Sequence, residues 1–573
     1  MQTYAEPRTS QALQPVRARW RLVILLVLTV IAVHGVCLRD RFVNWDDEMM
    51  VVNNPRIMRL SPAGILHVFN PGTVYTDQFT EYYPVRDLSY MIDYAIGGLN
   101  PFVYHADNLL IEIINVVLVF LLFLKLFGDE QLALLSALIF TVHPLASGVV
   151  SWVASRKDLL AMAFYLLSFL SFVDFYRHST AEKMGGGPGV AAGAQRSGSA
   201  GKYLVFSSFW FLAALFSKAS ALPLPGVLAA YLFIIERERN IKVYAAYLAV
   251  PVIIMVLYAV NLYSYSTSYF GTSTIQTVYN KNWLLMFIPE LFVIYTVHFL
   301  FPFNTAALYI EPVNQSLLEP LFVLSVPLLA GLVYAFFTWI RKDTALFFGF
   351  IWILFTMVPA SNIVGLQVKI ADRFAYIALA GFGLMAARVI TSAVQRTVRY
   401  KKYFIAVAFL GILSFGAISI MSDLTWYDGV TLWTRQIQTR PYLPGVDKTL
   451  WGYAMLGNAY GEEGRYEKDK KYTAFVLEKN PDYVPSLKEL GMVYAHEGAY
   501  GAAANLYQRA LKSDLNLFKS SDYIVLGGLY EKMHEYRRAA EAYGNALRVP
   551  HPAYNDRGVT VKIQEMTEKM HEH

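Results

Sequence analysis

The chain has 573 residues, of which 55% are hydrophobic and only 16% are charged, and its formal net charge at pH 7 is +6. This composition is too apolar for an ordinary soluble protein, and the modest charge, scattered over short loops, argues against a nucleic-acid-binding protein. Apolar runs of about twenty residues, the length that spans a bilayer as a helix, recur from residue 20 to about residue 421. The only cysteine, Cys37, excludes a disulfide within the chain.

The first apolar run, residues 20–38, is predicted to be a retained membrane anchor, because it is too long for a cleaved signal peptide and further spans follow it. Positively charged residues collect on the cytoplasmic side of membrane proteins. Residues 1–19 are therefore predicted to form a cytoplasmic segment. Four arginines flank the start of the anchor: Arg8, Arg17, Arg19 and Arg21.

A large outer loop is predicted after this anchor, over residues 39–107. Its mixture of aromatic and polar residues favours short helices lying in the membrane interface. Asp46 and Asp47 place two neighbouring carboxylates a few residues beyond the membrane. Ionisable groups at a bilayer boundary are candidates for function, although a solvated acidic loop would carry the same residues.

About eleven membrane-spanning helices are predicted by the apolar runs, which together form an all-α transmembrane domain over residues 20–421. The stretch 284–302 is interpreted as re-entrant or interfacial, because a full crossing there would break the alternation of sides. Residues 184–202, rich in Gly, Ala and Ser, are interpreted as a flexible cytoplasmic loop. The spans are placed near residues 20–38, 108–128, 131–150, 158–176, 203–217, 220–235, 242–262, 319–340, 344–361, 373–391 and 403–421.

The residues after the membrane domain carry an internal repeat. A glycine recurs at Gly457, Gly491 and Gly527, at intervals of 34 and 36 residues, and a tyrosine follows each one three residues later. This is the pattern of tetratricopeptide repeats, which are paired antiparallel helices stacked into an α-solenoid. The concave surface of such a stack binds peptide segments, so a protein partner is expected. The predicted boundaries are 422–449 for a linker, 450–560 for the repeats and 561–573 for a tail.

Basic residues are also predicted on the outer face, the face from which positively charged residues are normally kept. Their presence there, with the acid pair, favours a site for an anion such as phosphate, which Arg binds by bidentate donation and Lys binds as a point charge. Simpler alternatives are snorkelling at a helix end, pairing with an aspartate, or, for the histidine before a proline, capping of a turn. The candidates are Arg86, His143, Arg156, Lys157, Lys218, Lys369 and Arg373.

Several motifs, in this order, resemble those of the TMTC-type proteins, which are multispanning glycosyltransferases of the GT-C superfamily with C-terminal tetratricopeptide repeats. The chain departs from them in having few repeats and in the string Tyr82-Tyr83-Pro84-Val85-Arg86, where the family usually runs Arg-Pro together. The motifs are Asn44-Trp45-Asp46-Asp47, Asn53-Asn54-Pro55, Gly98-Leu99-Asn100-Pro101, His143-Pro144-Leu145, Trp152-Val153-Ala154, Arg156-Lys157-Asp158, Ser217-Lys218 and Ala371-Asp372-Arg373-Phe374-Ala375-Tyr376.

The resemblance implies transfer of a sugar, as by the O-mannosyltransferases, from a polyprenyl-phosphate donor to a Ser or Thr hydroxyl of a protein at the extracytoplasmic face. The expected general base is Asp46, the first choice, or Asp47, and a single base implies inversion at the sugar. The basic residues above are expected to bind the donor phosphate. Trp45, Tyr82 and Tyr83 are expected to contact the sugar or the acceptor. The expected location is a bacterial inner or cell membrane, with the repeats extracytoplasmic.

Several alternatives stay open at this stage. The acceptor could be a glycolipid or a surface polymer, and a non-catalytic assembly scaffold would need the repeats but neither the acids nor the basic residues. A transporter is the other alternative, although the sequence shows no internal inverted repeat and most charges lie at helix ends. A metal-free site is favoured because several positive charges are already available for the phosphate. The alternative is Mg²⁺ or Mn²⁺ bound by oxygen atoms of Asp46, Asp47 and Glu48.

Overall fold

The fold is helical throughout the part of the chain that the structure, a computed structural model, describes, with no β-strand in that part. The helices fall into two compact units, one of Met1–Asp40 with Asn100–Trp426 and one of Arg41–Leu99 with Tyr427–His573. The described residues are 19–73, 81–183, 200–276, 281–303, 305–309, 320–362, 368–396, 398–514, 518–549 and 556–572.

The first unit contains the membrane helices, so the chain is an integral membrane protein. Among the described residues, eight helices are long and apolar enough to cross a bilayer, and a ninth candidate is a pair of helices, Glu130–Val142 and Pro144–Val150, bent by 55°. Gly201–Ser217 and Ala219–Ile235 are apolar but shorter. Apolar helices therefore lie at all of the predicted span positions. The eight long helices are Trp20–Arg39, Pro101–Phe127, Val153–Glu182, Ile241–Val260, Pro320–Lys342, Thr344–Ser361, Asp372–Arg396 and Lys401–Trp426.

Two further predictions concern this region. The helix Lys281–Leu300 contains most of the stretch 284–302, whose interpretation as re-entrant or interfacial stays a prediction. The Gly/Ala-rich stretch lies almost wholly outside the described residues, as do residues 1–18.

Small residues allow the helices of the first unit to approach closely. A Cβ atom at Gly383 would lie 2.7 Å from the Ser136 carbonyl oxygen, and one at Gly349 would lie 2.8 Å from the Gly381 carbonyl oxygen. Such close backbone contacts are typical of helix packing in membranes, where burial of apolar surface drives association only weakly.

The second unit begins with short helical segments: a π-helical turn, Glu48–Val52, and the helices Pro62–Phe69 and Pro84–Gly97. Its C-terminal part starts with the helix Gly429–Thr439, within the predicted linker. Three helix pairs follow, as the repeat period predicts, and then a last helix that covers most of the residues predicted as a tail. They are Leu450–Glu462 with Tyr466–Lys479, Val484–His496 with Tyr500–Ser513, Ser520–Lys532 with Tyr536–Arg548, and then Asp556–Glu572.

The repeat glycines have a packing role. A Cβ atom at Gly491 would lie 2.8 Å from the Tyr507 ring, and one at Gly527 would lie 2.7 Å from the Tyr543 ring. Each glycine therefore lets the tyrosine of the paired helix fill the space between the two helices. Both rings are buried, which is the arrangement that the spacing of small and aromatic residues predicts.

Candidate functional site

The acid pair of the second unit has one buried and one accessible member. Asp47 is 1% exposed, and its Oδ2 accepts a hydrogen bond of 3.1 Å from the Val43 backbone N–H. Asp46 is half-buried. Because a general base must reach the hydroxyl that it deprotonates, the accessibility of Asp46 favours it over Asp47 for that role.

Two of the aromatic candidates in this segment have definite packing partners. The Trp45 ring lies edge-on to Trp433, with ring centroids 5.4 Å apart. The Tyr82 hydroxyl donates to the Phe69 carbonyl oxygen at 2.7 Å. Trp45 and Tyr82 are both half-buried, so each keeps a surface that a ligand can contact.

Arg86, a predicted phosphate ligand, forms ion pairs with two carboxylates. Its Nε and Nη2 donate to Asp87 Oδ1 at 2.9 and 2.8 Å, and its Nη1 donates to Glu81 Oε2 at 2.7 Å. The guanidinium is buried and also lies over the Tyr83 ring. Burial lowers the pKa of Arg86, but the carboxylates of Asp87 and Glu81 outweigh this effect and raise the pKa above its ordinary value. These contacts are those of a structural ion pair.

In the first unit, Arg156 starts the helix Arg156–Lys183 and is fully buried. Its Nε donates to Asn108 Oδ1 at 2.8 Å, its Nη2 donates to the Tyr104 carbonyl oxygen at 2.7 Å, and its Nη1 lies 3.2 Å from Asp107 Oδ2. The guanidinium therefore joins the Arg156 helix to the helix Pro101–Phe127, leaving little donor capacity for a ligand.

His143 has the capping role of the simpler alternative. Its Nδ1 accepts from the Leu145 backbone N–H at 3.3 Å, and its Nε2 lies 3.0 Å from the Phe299 carbonyl oxygen. Phe382 and Phe415 pack edge-on against the ring. The side chain is fully buried, so its contacts are those of a core residue at the bend between two helices.

Three of the remaining basic residues lie close together. The Lys218 ammonium is 2.5 Å from Asp158 Oδ1, and the positive charges of Lys157 and Arg373 act on it electrostatically. Lys157 and Lys218 are largely buried, whereas Arg373 is half-buried. Lys157, Lys218 and Arg373 thus lie in one region of the first unit with the Asp158 carboxylate, which pairs with Lys218.

Arg373 differs from the other arginines of the site in its partners. Its guanidinium lies over two rings, 5.1 Å from the Trp152 centroid and 5.2 Å from the Phe374 centroid, and Lys218 Nζ lies 5.6 Å from the same Phe374 ring. Within the part of the chain that the structure describes, this guanidinium makes no hydrogen bond or ion pair. None of the described residues therefore takes up its N–H groups, which are suited to binding an anion.

The Arg373 side chain borders a pocket. Trp152, stacked on Trp426 with centroids 5.4 Å apart, forms part of the wall, and Asp372 lines it as well. The Asp372 carboxylate is already bound by the Tyr309 hydroxyl and lies 3.3 Å from His298 Nδ1. Arg373 is thus the cation of this pocket that has donors available. Lys369, also predicted for the site, is half-buried four residues earlier.

The contacts of Arg373 and Arg156 therefore include residues to which the sequence analysis gave no role in the site. Trp152 and Phe374 pack against the Arg373 guanidinium, and Asp107 and Asn108 bind Arg156. The sequence could have indicated Trp152 and Phe374, since each lies in a motif close to a basic residue. The described residues contain no group of three or more His, Cys, Asp or Glu side chains arranged to hold a metal ion.

The fold and these residues define an all-α integral membrane protein with a C-terminal tetratricopeptide-repeat region. No protein-family model matches the chain. The chain is similar to the protein O-mannosyl-transferase TMTC1 of Mus musculus, with 32% identity over 144 residues, which covers 24% of this chain and 15% of that protein. It is also similar to the protein O-mannosyl-transferase TMTC4 of Homo sapiens, with 33% identity over 155 residues, 24% of this chain and 21% of that protein.

These relatives confirm the resemblance to TMTC-type proteins, and the matched stretch spans less than a quarter of their length. Among solved structures, ArnT from Cupriavidus metallidurans bound to undecaprenyl phosphate aligns over 86% of this chain and 80% of its own, with 11% identity and a TM-score of 0.35. A TM-score of that size gives this likeness no weight for fold or function.

Proposed function

We propose that the chain is a GT-C-type glycosyltransferase that moves a sugar, mannose by analogy with its relatives, from a polyprenyl-phosphate donor to a Ser or Thr hydroxyl of a protein at the extracytoplasmic face. The proposal is carried by the Arg373 guanidinium, which lies over the Trp152 and Phe374 rings and makes no hydrogen bond or ion pair with the described residues. Lys218 lies over the same Phe374 ring. The similarity to protein O-mannosyl-transferases supports the reaction class.

The reaction breaks the bond between the anomeric carbon and the phosphate oxygen and forms a bond from that carbon to the acceptor oxygen. Negative charge builds up on the departing phosphate, so fixed positive charges there stabilise the transition state. Arg373 supplies a planar set of N–H donors suited to phosphate oxygens. Lys218 and Lys157 add positive charge nearby, partly offset by Asp158.

The acceptor hydroxyl loses its proton as it attacks the anomeric carbon, and a carboxylate takes that proton. Asp46 is the proposed base because its side chain is accessible, whereas Asp47 is buried and bonded to the backbone of Val43. Direct displacement with one base inverts the configuration at the sugar. Arg86 in the second unit and Arg156 in the first are not proposed as donor ligands, because protein groups already accept their N–H donors.

The proposed acceptor is a protein because the chain carries a solenoid of helix pairs, whose concave face binds peptide segments in proteins of this type. A glycolipid or polymer acceptor would not require a surface that binds peptide segments.

The donor role of Arg373 is tested by binding of a short-chain polyprenyl-phosphate mannose to the purified full chain in detergent. Arg373→Ala should weaken binding about 10- to 100-fold, as expected for loss of hydrogen bonds to a charged group. Arg388→Ala is the matched control, because that arginine lies at the other end of the same helix and pairs with Asp343 at 2.7 Å. Unchanged donor affinity in a folded Arg373→Ala protein would remove Arg373 from the donor site.

The base assignment is tested in cells that express the chain, by intact-mass analysis of secreted and surface proteins. Wild type should add hexose-sized mass increments, and Asp46→Asn should abolish them. Undiminished increments with both Asp46→Asn and Asp47→Asn would refute the acid pair as the source of the base.

A further inference from the structure

Asn44 lies two residues before Asp46, and both the oxygen and the nitrogen of its side-chain amide make hydrogen bonds. Its Oδ1 accepts from Trp433 Nε1 at 2.9 Å, and its Nδ2 donates to the Met455 carbonyl oxygen at 2.9 Å and to Asn458 Oδ1 at 2.8 Å. The residue is 3% exposed. Its three partners lie on the helices Gly429–Thr439 and Leu450–Glu462, the second of which is the first helix of the repeat region.

The surrounding residues are shaped to admit this amide. A Cβ atom at Gly429 would lie 2.2 Å from Asn44 Oδ1, so any other residue at position 429 would displace it. Trp45 packs edge-on against the same Trp433 that donates to Asn44. The Arg41 backbone N–H donates to the Tyr427 carbonyl oxygen at 2.8 Å. Several independent contacts thus hold this short segment on the C-terminal helices.

The contacts of Asn44 extend to the acid pair and to the second repeat. Asp47 Oδ2 accepts from the Val43 backbone N–H, which closes a tight turn around Asn44 and Trp45. On the other side, Asn458 Nδ2 donates to Glu489 Oε2 at 2.9 Å. A shift of the Asn44 side chain would therefore move the neighbouring backbone, which carries Asp46 and Asp47.

We infer that Asn44, bound by Trp433 and Asn458, is a positioning residue that sets the location of the Asp46–Asp47 carboxylates, which makes the start of the repeat region part of the catalytic apparatus. This inference rests on the proposed function, in which one of the two acids is the general base. Reacting groups must lie within about 3–3.5 Å in the correct orientation, and a displacement of about 1 Å costs about 100-fold in rate.

The test is steady-state transfer by the full chain, with short-chain polyprenyl-phosphate mannose as donor and a mixture of synthetic Ser/Thr peptides as acceptor. Asn44→Ala should lower kcat by about 10- to 100-fold while the KM for the donor stays within about twofold of wild type, since the donor contacts are untouched. Trp433→Phe keeps the ring but removes the N–H donor, and it should lower kcat in the same direction. Gly429→Ala should do likewise, because its Cβ occupies the place of the amide oxygen.

Gln508→Ala is the matched control. It also removes a side-chain amide that bonds to an aromatic residue of the repeats, with Gln508 Nε2 2.6 Å from the Tyr530 hydroxyl oxygen, but it lies away from Asn44. Its kcat should equal that of wild type. The double variant of Asn44→Ala with Trp433→Phe should lose no more than the worse single variant, because the two changes remove one shared contact.

The outcomes separate this inference from the proposed function. Wild-type kcat in Asn44→Ala, with Asp46→Asn inactive, would overturn the positioning role and leave the proposed function standing. An equal loss of kcat in Gln508→Ala would also overturn it, since any damage to the repeats would then suffice. Full activity in both Asp46→Asn and Asp47→Asn would refute the base and the inference together. If Asn44→Ala does not fold, the milder Trp433→Phe decides.

Discussion

His34 Nδ1 lies 2.8 Å from Asp423 Oδ2, which joins the first membrane helix to the last across 389 residues of sequence. Ser151 Oγ donates to the other oxygen of Asp423 at 2.9 Å, and His34 Nε2 lies 3.0 Å from the Thr141 carbonyl oxygen. His34 and Asp423 are both fully buried. Ionisable groups in such surroundings persist only when their partners are in place, so this cluster links four segments of the membrane unit.

Removal of one partner should destabilise the membrane unit. Asp423→Ala leaves His34 and the Ser151 hydroxyl without their acceptor, and loss of one member of a buried pair costs about 3–5 kcal/mol. Arg19→Gln is the comparison, because it breaks the exposed pair with Glu130, which is worth at most about 1 kcal/mol. Thermal unfolding in detergent should show a large drop in midpoint for Asp423→Ala alone. Equal midpoints for the two variants would contradict a stabilising role for the buried pair.

Arg86→Ala should act on stability and leave donor binding intact. The substitution leaves the Asp87 carboxylate, 4% exposed, without its main counter-charge, at a cost of about 3–5 kcal/mol. The double variant Arg86→Leu/Asp87→Leu removes both charges and should regain part of that loss. Unfolding midpoints and the affinity for polyprenyl-phosphate mannose, measured on the same samples, separate the two roles. A stable Arg86→Ala protein with weakened donor affinity would restore Arg86 to the phosphate site.

The repeat region should lose stability as the pH rises through neutrality. Glu489 Oε1 and Asp469 Oδ2 converge on Gly461, whose Cβ would lie 2.7 and 2.6 Å from them. Burial, together with the charge of Asp469, raises the pKa of Glu489 to about 7. A carboxyl with a raised pKa binds its proton more tightly in the folded state than in the unfolded state. Its stabilising contribution is therefore complete below pH 4.5, the ordinary value, and is lost as the pH rises through about 7.

Thermal unfolding of the full chain at pH 5 and pH 8 measures this loss, with Glu489→Gln as the control. The glutamine cannot ionise, so the variant should be less sensitive to pH than wild type over this window. The same pH dependence in both proteins would exclude Glu489 as the group responsible.

Transfer activity should survive exhaustive treatment with EDTA. In the proposed mechanism, Lys218 and Arg373 supply the positive charge that a metal ion would otherwise provide at the donor phosphate. The check is the transfer rate after chelation, with and without added Mg²⁺ or Mn²⁺. Activity that disappears with EDTA and returns with either ion would indicate a metal site, for which Asp46, Asp47 and Glu48 are the first ligands to test by substitution.

The sequence predicted those parts of the fold that depend on local patterns. Apolar runs located the membrane helices, because the length and hydrophobicity of one segment decide whether it can span a bilayer. The period of Gly457, Gly491 and Gly527 located the helix pairs, because each repeat packs only against its neighbours. The break before Pro144 was not predicted, because residues 131–150 were predicted to form one span, although its cause is local: proline lacks the N–H that a continuous helix needs.

The partners of the charged residues could not be predicted in the same way. Arg156 and Lys218 were equivalent candidates in the sequence, yet the first is taken up by Asn108, 48 residues away, and the second by Asp158, 60 residues away. Such pairings depend on how helices pack, which no single segment encodes. The same holds for Arg373, whose guanidinium lies over the ring of Trp152, a residue 221 positions earlier in the chain.

The bond between Asn44 and Trp433 also has a consequence for biogenesis. The two residues are 389 positions apart, and ribosomes add about 5–20 residues per second. The acidic segment therefore leaves the ribosome roughly 20 to 80 seconds before its partner exists. During that interval the membrane helices are synthesised, and the Asn44 amide lacks its partner. A polypeptide interrupted before Trp433 would therefore contain the membrane helices but would have no Trp433 side chain to bind Asn44 beside the Asp46–Asp47 turn.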